Sequence, residues 1–241
     1  MPKFFVEPSQ IKENSIHFLE DDAKHIKTVL RANKGDEIIV CDGLGTDYVC
    51  RIASLEDGVV AEIISNEPCQ SEPKTKITLY QGLPKADKME LIIQKCVELG
   101  VDRIVAVSTK RCIVKLDKKE EKKLVRWQKI AEAAAKQSGR GKIPEIAMKV
   151  LSFSEALCEA KAMDGAIIPY ENEKDCGLRS FVEGFSGAEV GVFIGPEGGF
   201  TEEEIQTAKD AGVLPVTLGK RILRTETAGM TAIAILLYEL G

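Results

Sequence analysis

The sequence predicts a mixed α/β chain in two successive parts: a small β-barrel carrying one helix, then a larger α/β domain built on a parallel sheet. Three observations predict it. Residues up to about 65 are short β-branched and aromatic runs bounded by Gly and Asp, as strands are. Residues 66–76 are polar and hold two prolines, the pattern of a linker. Beyond them strand and helix patterns alternate, which implies parallel strands covered on both faces. The 241 residues amount to one or two domains at roughly 150 residues each, divided here as 1–70 and 71–241.

The elements follow in order. Phe4-Phe5-Val6, Ile16-His17-Phe18, Glu37–Val40, Tyr48–Ile52 and Val59–Ile63 read as strands. One helix interrupts them, capped by Asp21 or Asp22, with Ala23, Ile26, Val29 and Leu30 as its apolar stripe. In the second part Ile77–Gln81 is a strand, and Ala86–Leu99 a helix ended by Gly100. Arg103–Val107 is a strand and Lys118–Ser138 a long helix ended by Gly139. Ile143–Val150 is a strand, and Phe153–Ala160 a helix begun by Ser152. Ala166–Ile168 and Val190–Ile194 are strands, and Thr201–Ala211 is a helix with the capping pair Thr201 and Glu204. Val213–Leu218 is a strand, and Thr225–Leu240 a helix apolar all round over Met230–Leu237, hence expected to be deeply buried.

Composition excludes several classes. With 44% hydrophobic and 29% charged residues the chain is neither disordered nor collagen-like. No apolar run approaches the ~18 residues of a membrane span, and no secretory signal is visible, so no membrane partner is expected. Seven cysteines, an odd number with no Cys-x-x-Cys spacing, and only His17 and His25 beside them argue against a zinc site or a disulfide framework; no metal is expected, and a reducing cytoplasm is. The net charge of −5 conceals a strong asymmetry: −7 over residues 1–72, +10 over 73–150 and −8 over 151–241. A basic middle third in an acidic chain reads either as a solvated helical face or as a site for a polyanion.

Glycine-rich segments separate into turns and candidate sites. Val40–Gly45 hints at a nucleotide loop, but a strand rather than a helix follows it, so it reads as a hairpin turn. No Walker-type sequence occurs, which leaves ATP-driven chemistry without support. Gly195-Pro196-Glu197-Gly198-Gly199-Phe200 lies between a strand and a capped helix, either as a tight turn or as a loop whose main chain a ligand can approach closely. Leu218–Ala228 follows the next strand and opens the apolar helix with Arg224, Thr225 and Thr227. Both loops are expected on the same edge of the sheet, which makes a site.

Those two segments resemble the cofactor-binding motifs of the ribosomal RNA small-subunit methyltransferase E family, a group of S-adenosyl-L-methionine-dependent enzymes in the SPOUT superfamily. His25–Arg31 is similar to that family's amino-terminal signature. Lys85–Glu90 with Lys95 and Glu98-Leu99-Gly100 is similar to its central one, and Glu132 with Gln137–Arg140 and Pro144 to a further one. The resemblance covers nearly the whole chain. It implies a PUA-like RNA-binding β-barrel followed by a SPOUT-type α/β domain with a C-terminal trefoil knot. It implies a homodimer that methylates N3 of one uridine in 16S ribosomal RNA of the small subunit. A superfamily relative acting on a ribose 2′-hydroxyl of transfer or ribosomal RNA, and a non-catalytic ribosome-assembly protein, are the alternatives.

Carried onto this sequence, the motifs imply a cofactor site of Ile194, Gly195, Pro196, Glu197, Gly198, Gly199, Leu218, Gly219, Ile222, Leu223, Arg224, Thr227 and Ala228. For catalysis a guanidinium beside the uridine anion is expected from Arg224, with Arg140 second. Arg224 has a plainer alternative, an ion pair with Glu226 or Glu197. A carboxylate of raised pKa, Glu197 or Glu226, is expected to take the proton. For RNA, Lys122, Arg126, Lys129, Lys136 and Arg140 recur on one helical face, and Lys88 and Lys95 do so on the preceding helix, with Lys85 and Arg31 added. Leu124, Trp127, Ala131 and Ala134 form the apolar stripe of the long helix. The acidic barrel offers only Lys3, Lys24, Lys27, Arg31 and Lys34 as a narrow basic patch, and His25 is expected half-buried against it.

Overall fold

The computed structural model describes residues 1–113 and 120–241, so the expected helix start at Lys118 lies outside the described residues. The chain forms two compact units. The first comprises Met1–Glu72 with Ala135–Ile143, the second Pro73–Ala134 with Pro144–Gly241.

The first unit holds β1 (Lys3–Phe5), β2 (Ile11–Lys12), β3 (Ser15–Phe18), α1 (Glu20–Lys24), β4 (Glu37–Cys41), β5 (Thr46–Ser54) and β6 (Val59–Pro68). Its six-stranded sheet runs β1-β4-β5-β6-β3-β2, antiparallel except where β1 joins β4. Inward residues Phe4, Ile16, Phe18, Ile38, Val40, Ile52 and Val59 share one core with Ala23 and Ile26 from the helix. That helix starts at Leu19, not at an aspartate cap, and passes into a single wide turn over His25–Val29. His25, expected half-buried, is instead exposed, with its ring edge-on to Phe4 at 5.8 Å. The glycine-rich segment is a hairpin between β4 and β5. Gly43 and Gly45 take positive φ, and Asp42 Oδ1 accepts from the main chain of Leu44 and Thr46. The polar stretch expected as a linker is partly strand, because the long β5 pairs with Asn66, Glu67 and Pro68.

Residues 135–143 are fastened to this unit by a half-buried carboxylate. Glu72 accepts from Arg140 Nη2 at 2.7 Å and Nε at 3.3 Å, and from the main-chain N–H groups of Gly141 and Lys142. Arg140 is only 3% exposed. This departs from the catalytic and RNA-binding roles expected of it: its guanidinium is committed to a structural clamp, away from solvent.

The second unit holds β7 (Lys76–Gly82), α2 (Lys88–Leu99), β8 (Arg103–Ser108), α3 (Glu120–Ser138, whose last turn is counted with the first unit) and β9 (Glu145–Ile146). It continues with β10 (Leu151–Ser152), α4 (Phe153–Ala160), β11 (Gly165–Pro169), α5 (Leu178–Gly184), β12 (Glu189–Ile194), α6 (Glu202–Asp210), β13 (Leu214–Val216) and α7 (Thr225–Leu240). The sheet runs β10-β8-β7-β12-β11-β13, with β9 beside β8, and every pairing among them is parallel. Alternation assigns its faces. Tyr80 and Phe193 stack at 4.5 Å and meet Phe153 and Phe200 on one face, while Leu79 and Ile194 lie against Gly229 of α7 on the other. Serine and threonine caps at Ser152 and Thr201 start α4 and α6 with complete capping boxes. Gly100 ends α2 in the left-handed region.

Three further points of the sequence reading need correction. The strand expected over Ile143–Val150 shrinks to Glu145–Ile146, and helix α5 went unread. The closing helix α7 is not buried all round: Ala232, Ile233 and Leu236 are buried, but Ile235 is 39% and Tyr238 86% exposed.

Candidate active site

Four adjacent parallel strands, β7, β12, β11 and β13, bring their carboxyl ends to one edge of the sheet. The loops that follow them converge there, where ligands of such sheets sit. They enclose a cavity of about 360 Å³ lined by residues of the Gly195–Phe200 loop, by Ile222–Thr225 and Ala228, by Lys88, and by Pro169 and Glu171. A smaller lobe of about 130 Å³ adjoins it, lined by Thr217–Leu223 and Tyr170, with Pro169, Glu171, Ile222, Leu223 and Ala228 common to both.

Buried hydrogen bonds set the edge. Thr225, the first residue of α7, donates from Oγ1 to the Gly195 carbonyl at 2.6 Å and accepts from Gln81 Nε2 at 2.9 Å, which ties β7, the β12 loop and α7 together. Gly82 lets the β12 loop approach β7: a Cβ there would lie 2.7 Å from the Pro196 ring and 2.8 Å from its main-chain nitrogen. The β12 loop turns at Gly199, whose φ of +64° favours glycine and whose N–H donates to the Pro196 carbonyl.

Charge at the mouth is organised around Lys88. Its ammonium lies 3.2 Å from Glu197 Oε1 and 3.3 Å from Glu226 Oε2. Glu197 also accepts from the Lys85 main-chain N–H. Burial tends to raise the pKa of Glu197, but its own main-chain N–H, that of Lys85 and the Lys88 ammonium outweigh burial and hold it below the usual carboxylate range. The expectation of a proton-accepting Glu197 with raised pKa is therefore corrected: it is a fixed anion that anchors two loops. The ion pairs considered for Arg224 do not form, since both carboxylates hold Lys88. Arg224 is exposed, lines the cavity, and among the described residues its guanidinium has no ion-pair partner.

Of the expected cofactor residues, Ile194, Gly195, Pro196, Glu197, Gly199, Ile222, Leu223, Arg224 and Ala228 line the larger lobe, and Leu218 and Gly219 the smaller. Gly198 and Thr227 do not line the groove. Gly198 faces Arg111, which donates to its carbonyl, and the turn of α7 directs Thr225 and Ala228 inward and Thr227 to solvent. The sequence reading missed Pro169, Tyr170 and Glu171, although they directly follow a recognised strand and the parallel-sheet rule places such residues at the site.

Of the expected RNA contacts, Lys85, Lys129, Lys136 and Arg31 are exposed. Lys88 serves the site, Lys95 pairs with Glu98, and exposed Arg126 pairs with Glu90. The apolar stripe of α3 is buried as read, through Leu124, Trp127, Ala131 and Ala134. Among the described residues no group of three or more His, Cys, Asp or Glu is gathered as a metal site needs, and no helix is long and apolar enough to cross a membrane.

Comparison with known proteins matches residues 70–237 to an RNA methyltransferase domain family and residues 18–64 to an RNA methyltransferase PUA domain family. The chain is 36% identical to ribosomal RNA small subunit methyltransferase E of Bacillus subtilis, across 99% of this chain and 97% of that one. It is also 36% identical to the namesake from Mesomycoplasma hyopneumoniae, across 95% and 96%. The fold superposes with a TM-score of 0.86 on a crystal structure of ribosomal RNA small subunit methyltransferase E from Neisseria gonorrhoeae bound to S-adenosyl methionine, 37% identical over 99% of this chain and 97% of that one. A mixed α/β chain with a PUA-like first unit and a groove built from these two loops belongs to the ribosomal RNA small subunit methyltransferase E family.

Proposed function

We propose that the chain transfers a methyl group from S-adenosyl-L-methionine to N3 of one uridine in 16S ribosomal RNA. The observation that carries this is the convergence of the β12 and β13 loops on one two-lobed groove. The groove fits the cofactor in kind. The smaller lobe offers main-chain groups and apolar walls from Leu218–Leu223 for an adenine edge. The larger offers apolar walls from Ile194 and Phe200 for the amino-acid end, and Arg224 for the incoming base. When bound, the cofactor supplies an electrophilic methyl carbon. This chain's residues hold it and prepare the nucleophile: Arg224 stabilises the uridine anion left when N3 loses its proton. Glu197 and Lys88, paired with each other, fix loop positions. Because Glu197 and Glu226 are both paired with Lys88, solvent is the destination for the N3 proton.

The finer architecture belongs to the same proposal. The first unit is a PUA-like barrel that binds RNA through Lys24, Lys27, Arg31 and Lys34, all exposed. The segment leading into α7 forms a trefoil knot, with Thr225 buried against Gly195 and Gln81 in support. The protein is a cytoplasmic homodimer, and Ile235 and Tyr238 on α7 are the apolar exposure that a second copy would cover. Mass mapping of 16S ribosomal RNA from a deletion strain tests the reaction. A single uridine lacking its N3-methyl, restored by this chain, is expected; a missing ribose 2′-O-methyl would favour the superfamily alternative. Calorimetry showing no S-adenosyl-L-methionine binding would favour an assembly protein.

A further inference from the structure

We propose that Glu171 is the acceptor for the ribose hydroxyls of the adenosyl cofactor, an inference that rests on the cofactor reading above. Glu171 follows β11 by two residues and lies on the wall common to both lobes. The lobes differ in chemistry. The smaller is walled by the main chain of the β13 loop and suits a flat heteroaromatic edge, whereas the larger carries Lys88 and Arg224. A ligand with a base at one end and an amino acid at the other places its sugar at the junction, where Glu171 stands.

The other carboxylate lining the groove, Glu197, is already taken by Lys88 and by the Lys85 N–H. Glu171, by contrast, has no hydrogen-bond or ion-pair partner among the described residues. Gly199 opposite keeps room for it: a Cβ at Gly199 would lie 3.3 Å from Glu171 Oε2, so any side chain there would crowd the carboxylate. Two carboxylate oxygens facing a vicinal diol accept two O–H donors in charge-assisted hydrogen bonds, which are stronger than neutral ones.

The test is calorimetry of the full-length protein with S-adenosylhomocysteine and with its 2′-deoxy and 3′-deoxy forms. In the wild type each missing hydroxyl should weaken binding roughly tenfold. Glu171→Ala, which loses both hydrogen bonds, should bind the parent ligand more weakly than the wild type binds either deoxy form, and should then discriminate between the ligands by less than about twofold. Glu171→Gln, which keeps an acceptor without the charge, should fall between. Turnover should show a raised KM for the cofactor with kcat within about twofold. If Glu171→Ala keeps the full hydroxyl penalty, or weakens all three ligands by one common factor as a carboxylate acting on the ligand's cationic end would, the assignment to ribose is overturned while the cofactor reading stands. A wild-type protein that binds none of them overturns both.

Discussion

Arg224 and Lys88 are both cations on one cavity, and their partners give them different work. Lys88 is neutralised by Glu197 and Glu226, while Arg224 keeps its charge for a ligand. Arg224→Ala should therefore lower kcat about 100-fold, the usual effect of removing one donor to a developing anion, and leave the cofactor Kd within about twofold. Methyl incorporation and calorimetry separate the two, and an equal loss in both would make Arg224 a binding residue only. Because the pKa of Glu197 is lowered, it is ionised throughout the neutral range, and its titration lies below the ordinary carboxylate range. The pH–rate profile of Glu197→Gln should keep the wild-type shape while cofactor affinity falls; loss of an ionisation near neutrality in that variant would restore Glu197 as a base. At Gly199 the substitution Gly199→Val meets two obstacles, a φ of +64° and the Glu171 carboxylate, and calorimetry should show cofactor binding lost.

At the scale of elements, α3 shows what periodicity can and cannot reveal. Its two stripes were legible: Leu124, Trp127 and Ala131 are buried, and Lys122, Arg126 and Lys129 are exposed. Its tertiary commitments were not, because Arg126 meets Glu90 of α2 and Arg140, just beyond the helix, meets Glu72. Lys129→Ala should weaken RNA binding evenly across sequences and reduce the slope of log affinity against log salt by about one, whereas Arg126→Ala should change it less because its charge is already partly matched. A salt response unchanged in both variants would return the stripe to a solvated face. The same division runs through the rest of the chain. Helices opened by Ser152 and Thr201 were legible because their caps are local chemistry, and so were the two glycine loops. Helix α5 was not, since Gly177 precedes it without a side-chain cap. Glu171 escaped because nothing near it marks a loop as a site; only the parallel order of β11 and β12 brings it opposite Gly199.

At the scale of the whole molecule, the chain returns residues 135–143 to its first unit, and one carboxylate fastens them there. Burial tends to raise the pKa of Glu72. The Arg140 guanidinium and the main-chain N–H groups of Gly141 and Lys142 outweigh burial and hold it below the ordinary value of 4.5. A carboxylate with a depressed folded pKa contributes stability that is fully present above its unfolded value and is lost as pH falls through the folded one. Glu72→Gln should therefore destabilise the protein at pH 7 by about 3 kcal/mol, the lower end of the range for breaking a buried ion pair, since the amide oxygen still accepts from the main chain. Thermal unfolding of variant and wild type from pH 7 down to about pH 3 checks both sign and size. The gap between them should hold to about pH 5 and narrow below it, as the wild-type carboxylate takes up its proton. An equal Tm at pH 7 would mean that desolvation of Glu72 and Arg140 cancels their attraction. A gap that persists unchanged into acid would place the loss in packing around residues 135–143 and not in the charge of Glu72.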